Sequence, residues 1–312
     1  METAADQRSD LFKGIEMGIG TWSWGDRLIW DFGTDYDSND IRQAFRSAID
    51  FGFRFFDTAE VYGQGRSEEY LGEFAQETNE KLIIATKFMP YPWRLGSQAI
   101  KKALRASLVR LKIDRIALYQ MHQAIPPVKI ETWMGQMAEV VHEGLVEAVG
   151  VSNYDINQTM AAQNALLRQG LRLAATQMEY SLLARQVERN GILELCKEQG
   201  IRLIAYSPLT MGVLTGKYDR EHPLKGFRGT KYSTSYLEKV KPLINSLKKV
   251  GIEHEGKTPA QVALNWVICK GSIPIPGEKT PRQLEENTGA LGWRLTEDEV
   301  GTLDEISANL KI

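Results

Sequence analysis

The chain has 312 residues, 43% of them hydrophobic, with a formal net charge of −2. That length supports a large buried core, and the balanced charge, without a basic stripe interleaved with aromatics, excludes a nucleic-acid surface. METAADQRSD at the start carries acids and lacks a leader's apolar stretch, and no window reaches the length of a membrane span, so no membrane partner is expected.

In chain order, apolar runs of strand length fall at Gly14–Trp22, Arg54–Thr58, Leu82–Lys87, Ile116–His122, Ala148–Asn153, Ala174–Glu179, Arg202–Ser207 and Ser272–Pro276. Most are near-continuous rather than alternating, as in strands buried on both faces of a parallel sheet. Helical patterns separate them. Ile100, Leu104, Leu108 and Leu111 follow helical spacing among lysines and arginines. Ser38 and Ser67 stand where N-caps of IRQAFRSAIDFG and EEYLGEF are expected, and Gly52, Gly144, Gly170 and Gly200 where helices should stop.

Strand and helix alternating without a composition break predicts an α/β fold, the (β/α)8 TIM barrel, over residues 1–312 as a single domain. Residues 1–12 form an N-terminal extension and 296–312 a C-terminal helix and tail. Residues 208–257 form a long insertion with a helix near Ser235–Val250, positioned to cover a site. A doubly wound sheet would bring G-x-G-x-x-G after a strand, and the chain has only lone G-x-G pairs at Gly18/Gly20 and Gly63/Gly65. Cys196 and Cys269 lie in helix-like stretches and read as small core residues, fitting a reducing, cytoplasmic setting; a removed organellar transit peptide is compatible with the same sequence.

GIEHEGKT at Gly251–Thr258 satisfies the P-loop pattern, but a Lys-rich helix precedes it, and Glu253 and Glu255 repel phosphate. Thr258 and Pro259 suit an N-cap and first helical residue instead. His122, His142, His222 and His254 form no pair at ligand spacing, so no metal is expected and a metal-dependent hydrolase is disfavoured. Of these histidines only His122 ends a buried strand.

Asp57 and Tyr62 in FFDTAEVYG, Lys87 at the end of LIIATK and His122 at the end of IALYQMH follow three consecutive strand-like runs. In a parallel barrel those ends share the face where active sites are built. Any one of these residues alone reads as structural; four complementary types together suit proton transfer beside a carbonyl. Tyrosine is a poor acid near neutrality, a nearby ammonium favours its ionised form, and Asp57 would hold Lys87 in place.

With these motifs the chain resembles the aldo-keto reductase family over nearly its whole length. Further matches follow in order: GVSN at Gly150–Asn153, TQMEYS at Thr176–Ser181, AYSPL at Ala205–Leu209, LTGKY at Leu214–Tyr218, and IPIPG with EEN ending at Asn287. The resemblance implies an NAD(P)H-dependent aldehyde or ketone reductase, with Asp57, Tyr62, Lys87 and His122 catalytic and Tyr62 the general acid, running in reverse for alcohol oxidation. It implies that Ser152, Asn153 and Gln177 hold the nicotinamide carboxamide and that Tyr206 stacks on its ring. Gly20, Thr21, Trp22, Ser207, Pro208, Leu209, Lys217 and Gly277 belong to the same cofactor groove, and Glu286 and Asn287 meet the adenine.

Lys279 and Arg282 suit the 2′-phosphate of NADPH, whereas Glu278, expected to point to solvent, leaves NADH possible because a carboxylate can accept from a ribose hydroxyl. Trp22, Trp30, Tyr91 and Trp93 are expected to line a pocket for a small carbonyl substrate. A monomer is expected. A cofactor-binding regulatory or scaffold subunit on the same fold is the competing class.

Overall fold

Eight parallel strands pair in chain order: β1 (Ile19–Gly20), β2 (Phe55–Asp57), β3 (Ile83–Phe88), β4 (Ile116–Met121), β5 (Val146–Ser152), β6 (Leu173–Glu179), β7 (Arg202–Tyr206) and β8 (Ile273–Ile275). The computed structural model describes residues 11–312. A bridge between Gly20 and Gly277, with the Gly18 and Gly20 N–H groups donating to Pro274 and Pro276, joins β8 to β1 and closes the (β/α)8 barrel. A Cβ on Gly20 would stand 2.8 Å from the Ile275 carbonyl oxygen, so closure there requires glycine.

Leu11 and Phe12 pack with Phe55, Leu118, Ile204 and Ile273 inside the barrel. The expected extension therefore ends in core residues; its remaining part, 1–10, lies outside the described residues. The outer core lies between the strands and the helices: α1 (Ser38–Asp50), α2 (Arg66–Ala75), α3 (Ala99–Leu111), α4 (Ile130–His142), α5 (Ile156–Leu167), α6 (Gln186–Arg189), α7 (Ile192–Gln199), α8 (Gly226–Lys231), α9 (Thr234–Glu253), α10 (Pro259–Cys269), α11 (Pro281–Thr288) and α12 (Glu297–Ala308).

Local signals fare unevenly. Ile100, Leu104, Leu108 and Leu111 form the buried face of α3. Gly52, Gly144, Gly170 and Gly200 all take positive φ after their helices. Thr258 caps α10 in a reciprocal box with Gln261 and Pro259 follows it, so the P-loop-like string is a helix end, a turn and a helix start. Two caps are corrected. Asp37, not Ser38, caps α1, because its carboxylate accepts from the Asn39 and Asp40 N–H groups. Ser67 caps nothing; it is buried and its hydroxyl bonds Thr21 and Thr58. The expected first strand, Gly14–Trp22, keeps strand pairing only at Ile19–Gly20.

Candidate active site

Parallel pairing sets Asp57 beside Gly20, and Lys87 beside Gln120. The ends of β2, β3 and β4 thus deliver Asp57, Lys87 and His122 to one mouth of the barrel. Tyr62 arrives on the short 3-10 turn Tyr62–Gly65 that follows β2. Lys87 Nζ donates to Asp57 Oδ1 at 2.5 Å, to the Thr58 carbonyl at 2.8 Å and to the Tyr62 hydroxyl at 3.3 Å. Gln120 and Gln177 donate to the other carboxylate oxygen, Asp57 Oδ2, at 3.1 and 2.8 Å. The buried ion pair is therefore hydrogen-bonded on both sides, the condition under which such a pair is tolerated.

Burial raises the Tyr62 pKa, and Lys87 lowers it by less, so the phenol sits above its ordinary value. The expected effect of the ammonium is present, but burial, which the sequence did not reveal, outweighs it. For Lys87 itself burial lowers the pKa, but Asp57 and then Tyr62 more than offset it, keeping the ammonium charged. His122 packs edge-on against Tyr62 with ring centroids 5.8 Å apart. Burial, reinforced by Lys87, pushes the His122 pKa down to about 3, so its imidazole is neutral. The site thus holds a protonated phenol and a neutral imidazole above a fixed cation.

Above Tyr62 opens a cavity of about 550 Å³. Its floor and walls include Gly20, Thr21, Trp22, Asp57, Tyr62 and His122 from the first half of the barrel. From the second half come Ser152, Asn153 and Gln177, then Tyr206, Ser207, Pro208 and Leu209 where the chain leaves β7. Gly277, Lys279, Glu286 and Asn287 line its far end, and the insertion contributes Met211, Lys217 and Arg228. Asn153, at φ 58°, donates to the Ser152 hydroxyl and the His122 carbonyl and accepts from the Tyr206 hydroxyl at 2.9 Å. The amides of Asn153 and Gln177 are thus already engaged by the protein, which fixes their orientation at the wall.

Lys217 pairs with Glu286 at 2.7 Å, tying the insertion to α11 across the far end. Lys279 lies 4.9 Å from the Trp30 ring centre and 4.3 Å from that of Tyr36, and donates to the Trp30 carbonyl. Burial, with Arg228 adding repulsion, lowers its pKa to about 8. Arg228 stands 5.5 Å from the centre of the same Trp30 ring, and its buried Nε has no hydrogen-bond partner. Two cations facing one cavity, one with an unpaired donor, fit a phosphate group.

Four expectations are corrected. Tyr91 and Trp93 do not line the cavity; their rings stack on each other 4.7 Å apart, and Trp93 is 74% exposed. Arg282 is exposed on α11 and is not among the lining residues. Glu278 does not point to solvent: it is 1% exposed and its carboxyl accepts from Asn287 at 3.2 Å. Burial pushes its pKa up to about 8. Trp22 and Trp30 do line the cavity, edge-to-face at 5.6 Å, with Trp22 stacked 6.1 Å from Tyr62.

Gln120 and Arg228 escaped the sequence reading. Gln120 had a signal, being a polar residue in an otherwise apolar strand, two positions before His122 and hence on the same face. Arg228 had none beyond its place in a long insertion. Among the described residues no group of three His, Cys, Asp or Glu side chains could hold a metal ion, and no helix is long and apolar enough to cross a membrane.

Comparison with known proteins identifies the family and the fold. The model of the Aldo/keto reductase family matches residues 16–308. Chloroplastic pyridoxal reductase of Arabidopsis thaliana is 42% identical over 297 residues, covering 91% of this chain and 80% of the relative. The aldo-keto reductase yakc [NADP(+)] of Schizosaccharomyces pombe is 32% identical, covering 85% of this chain and 82% of its own. The glycerol dehydrogenase of Gluconobacter oxydans superposes with a TM-score of 0.82 at 26% identity, covering 95% and 92% of the two chains. An aldo-keto reductase from Klebsiella pneumoniae in complex with NADPH gives 0.72 at 25% identity, with the same coverage.

Proposed function

The chain belongs to the aldo/keto reductase family and is an oxidoreductase, and we propose that it reduces a planar aldehyde with NADPH, using Tyr62 as the proton donor. The observation that carries this reading is the Asp57–Lys87–Tyr62 chain of contacts beneath a cavity that His122 also lines. When bound, NADPH supplies the hydride. The chain's own residues do the rest. Tyr62, kept protonated by burial, gives its proton to the carbonyl oxygen, and charged Lys87 stabilises the phenolate that remains. Neutral His122 donates a hydrogen bond to the same oxygen rather than a proton. Asp57 keeps Lys87 in place. With its pKa raised, Tyr62 carries its proton at neutral pH, the form that donation to a carbonyl oxygen requires.

Ser152, Asn153, Gln177 and Tyr206 stand together at the wall nearest His122, where the nicotinamide would be held. Lys279 and Arg228 are placed for a phosphate, and the adenosine would meet Glu286 and Asn287 at the far end. Buried Glu278, a neutral acid below about pH 8, presents no carboxylate to the ribose, which favours NADPH over NADH. Trp22 and Trp30 beside Tyr62 suit a flat ring. The relative named pyridoxal reductase makes pyridoxal the first candidate substrate. The test is NADPH oxidation over a carbonyl panel that includes pyridoxal, repeated with NADH. Turnover of aromatic aldehydes with NADPH is expected. Activity with NADH equal to or above that with NADPH would overturn the cofactor assignment, and no turnover with any carbonyl would overturn the reaction.

A further inference from the structure

Gln120 is fully buried in β4 and is not among the residues that line the cavity. Parallel register sets it beside Lys87 of β3 on one side and Gly150 of β5 on the other. Residues paired in this way point to the same face of the sheet, so the amide lies in one layer with the ammonium. A Cβ on Gly150 would stand 2.9 Å from Gln120 Cγ, and the glycine thus leaves the space that the side chain occupies. From there the amide reaches past β3 to Asp57 on β2, where Nε2 donates to Oδ2 at 3.1 Å. A carboxylate offers only acceptors, so the NH2 end must face Asp57. The other end, Oε1, is buried without a partner. An unpaired buried carbonyl is unfavourable, and an apolar side chain of the same length would avoid it. What such a chain could not supply is the donor to Asp57.

The two oxygens of a carboxylate are rigidly linked, so a donor on Oδ2 also fixes where Oδ1 stands. Oδ1 and the Thr58 carbonyl in turn place Lys87 Nζ, which reaches the Tyr62 hydroxyl at 3.3 Å. That contact is the longest of the three and lies at the outer edge of hydrogen-bond range, so a small displacement of the ammonium weakens it most. Gln177 also donates to Oδ2, at 2.8 Å, but it lines the cavity and is shared there with the nicotinamide carboxamide of the proposed complex. Gln120 has no second engagement. We propose that Gln120 is a positioning residue for proton donation: by holding Asp57 Oδ2 it keeps Lys87 aimed at Tyr62, whether or not the cofactor engages Gln177. The inference rests on Tyr62 as the proton donor of the reaction proposed above.

Gln120→Met keeps the length of the side chain and removes both polar ends. NADPH oxidation is followed in a single turnover, with enzyme in excess over NADPH and a saturating concentration of the aromatic aldehyde that the wild type reduces fastest. NADPH binding is read by quenching of tryptophan fluorescence, and stability by urea unfolding. The single-turnover rate constant should fall about tenfold, the equivalent of one hydrogen bond to a charged group. NADPH affinity should stay within about twofold of the wild type. The urea midpoint should be unchanged or higher, since the unpaired carbonyl is lost with the amide. The rate constant does not depend on how much of the enzyme is folded. A merely structural Gln120 would therefore lower the midpoint and leave the rate constant intact, which would overturn the inference. A loss of NADPH affinity as large as the loss of rate would also overturn it, because the effect would then lie in the cavity wall. Should Gln120→Met fail to fold, Gln120→Leu takes its place and is read in the same way. An active wild type whose rate constant survives the substitution sinks this inference alone, whereas a wild type that reduces no carbonyl sinks the functional reading and this inference with it.

Discussion

Replacing Glu278 by Gln should make the protein more stable in mild alkali and remove a pH dependence that the wild type carries. The native carboxyl titrates at about 8 instead of the usual 4.5, chiefly because burial penalises its charged form; the hydrogen bond from Asn287 acts in the opposite direction. The folded state therefore holds a proton that the unfolded chain has released. With the folded pKa above the unfolded one, the contribution to stability is complete below about pH 4.5 and is lost as pH rises to about 8. Between these values the loss amounts to about 1.4 kcal/mol per pH unit, with a ceiling of about 5 kcal/mol if no structural relaxation softens the burial. Gln carries no titratable group and keeps an acceptor for Asn287, so its stability should lack this component. Urea unfolding followed by tryptophan fluorescence, at constant ionic strength and at about pH 5.5 and about pH 8.5, provides the measurement. Other groups titrate in both proteins, so the quantity that matters is the difference between them. That difference should shift in favour of Glu278→Gln by roughly 2 kcal/mol or more from the acidic to the alkaline condition. Parallel pH dependences would refute the reasoning, because they would mean that Glu278 titrates like an ordinary solvated carboxyl.

Tyr62→Phe should lower kcat by about 100-fold or more while leaving NADPH binding by fluorescence nearly unchanged; near-normal kcat would remove Tyr62 from the chemistry. Lys87→Met should cut kcat similarly and also destabilise the fold by about 3–5 kcal/mol, because Asp57 is left buried without its cation; urea unfolding and kcat read the two losses separately. As His122 is held near pKa 3, kcat/KM should show no limb from imidazole protonation between about pH 5 and 7, and a limb there that His122→Asn removes would contradict a neutral ring. Arg228→Ala should raise KM for NADPH about tenfold and KM for NADH less, since the unpaired Nε faces a phosphate-sized corner; equal effects on both would place Arg228 away from the distinguishing phosphate.

The legible part of this protein was local. Near-continuous apolar runs ending in Asp57, Lys87 and His122 show both the parallel barrel and which residues sit at the C-terminal ends of its strands, because a strand buried on both faces leaves its pattern in a few adjacent residues. Strand order then brings those ends together without further information. Caps were less legible, since Asp37 and Ser38 are adjacent and equally suited; the backbone turn selects Asp37.

What the chain's linear order left open depends on groups far apart in it. Gln177 reaches Asp57 across 120 positions, and Trp24 pins Glu278 across 254. Whether Glu278 faces solvent, a ribose or Asn287 is a matter of side-chain direction at the junction of β8 and α11. No periodicity encodes that direction. The sign of the Tyr62 shift has the same origin. The neighbouring strand end supplies Lys87, which lowers the pKa, but burial in the folded barrel supplies the desolvation, and desolvation is the larger effect. Residue types and strand ends thus determine the reaction class, while burial and long-range contacts determine protonation states and the exclusion of Tyr91, Trp93 and Arg282 from the cavity lining.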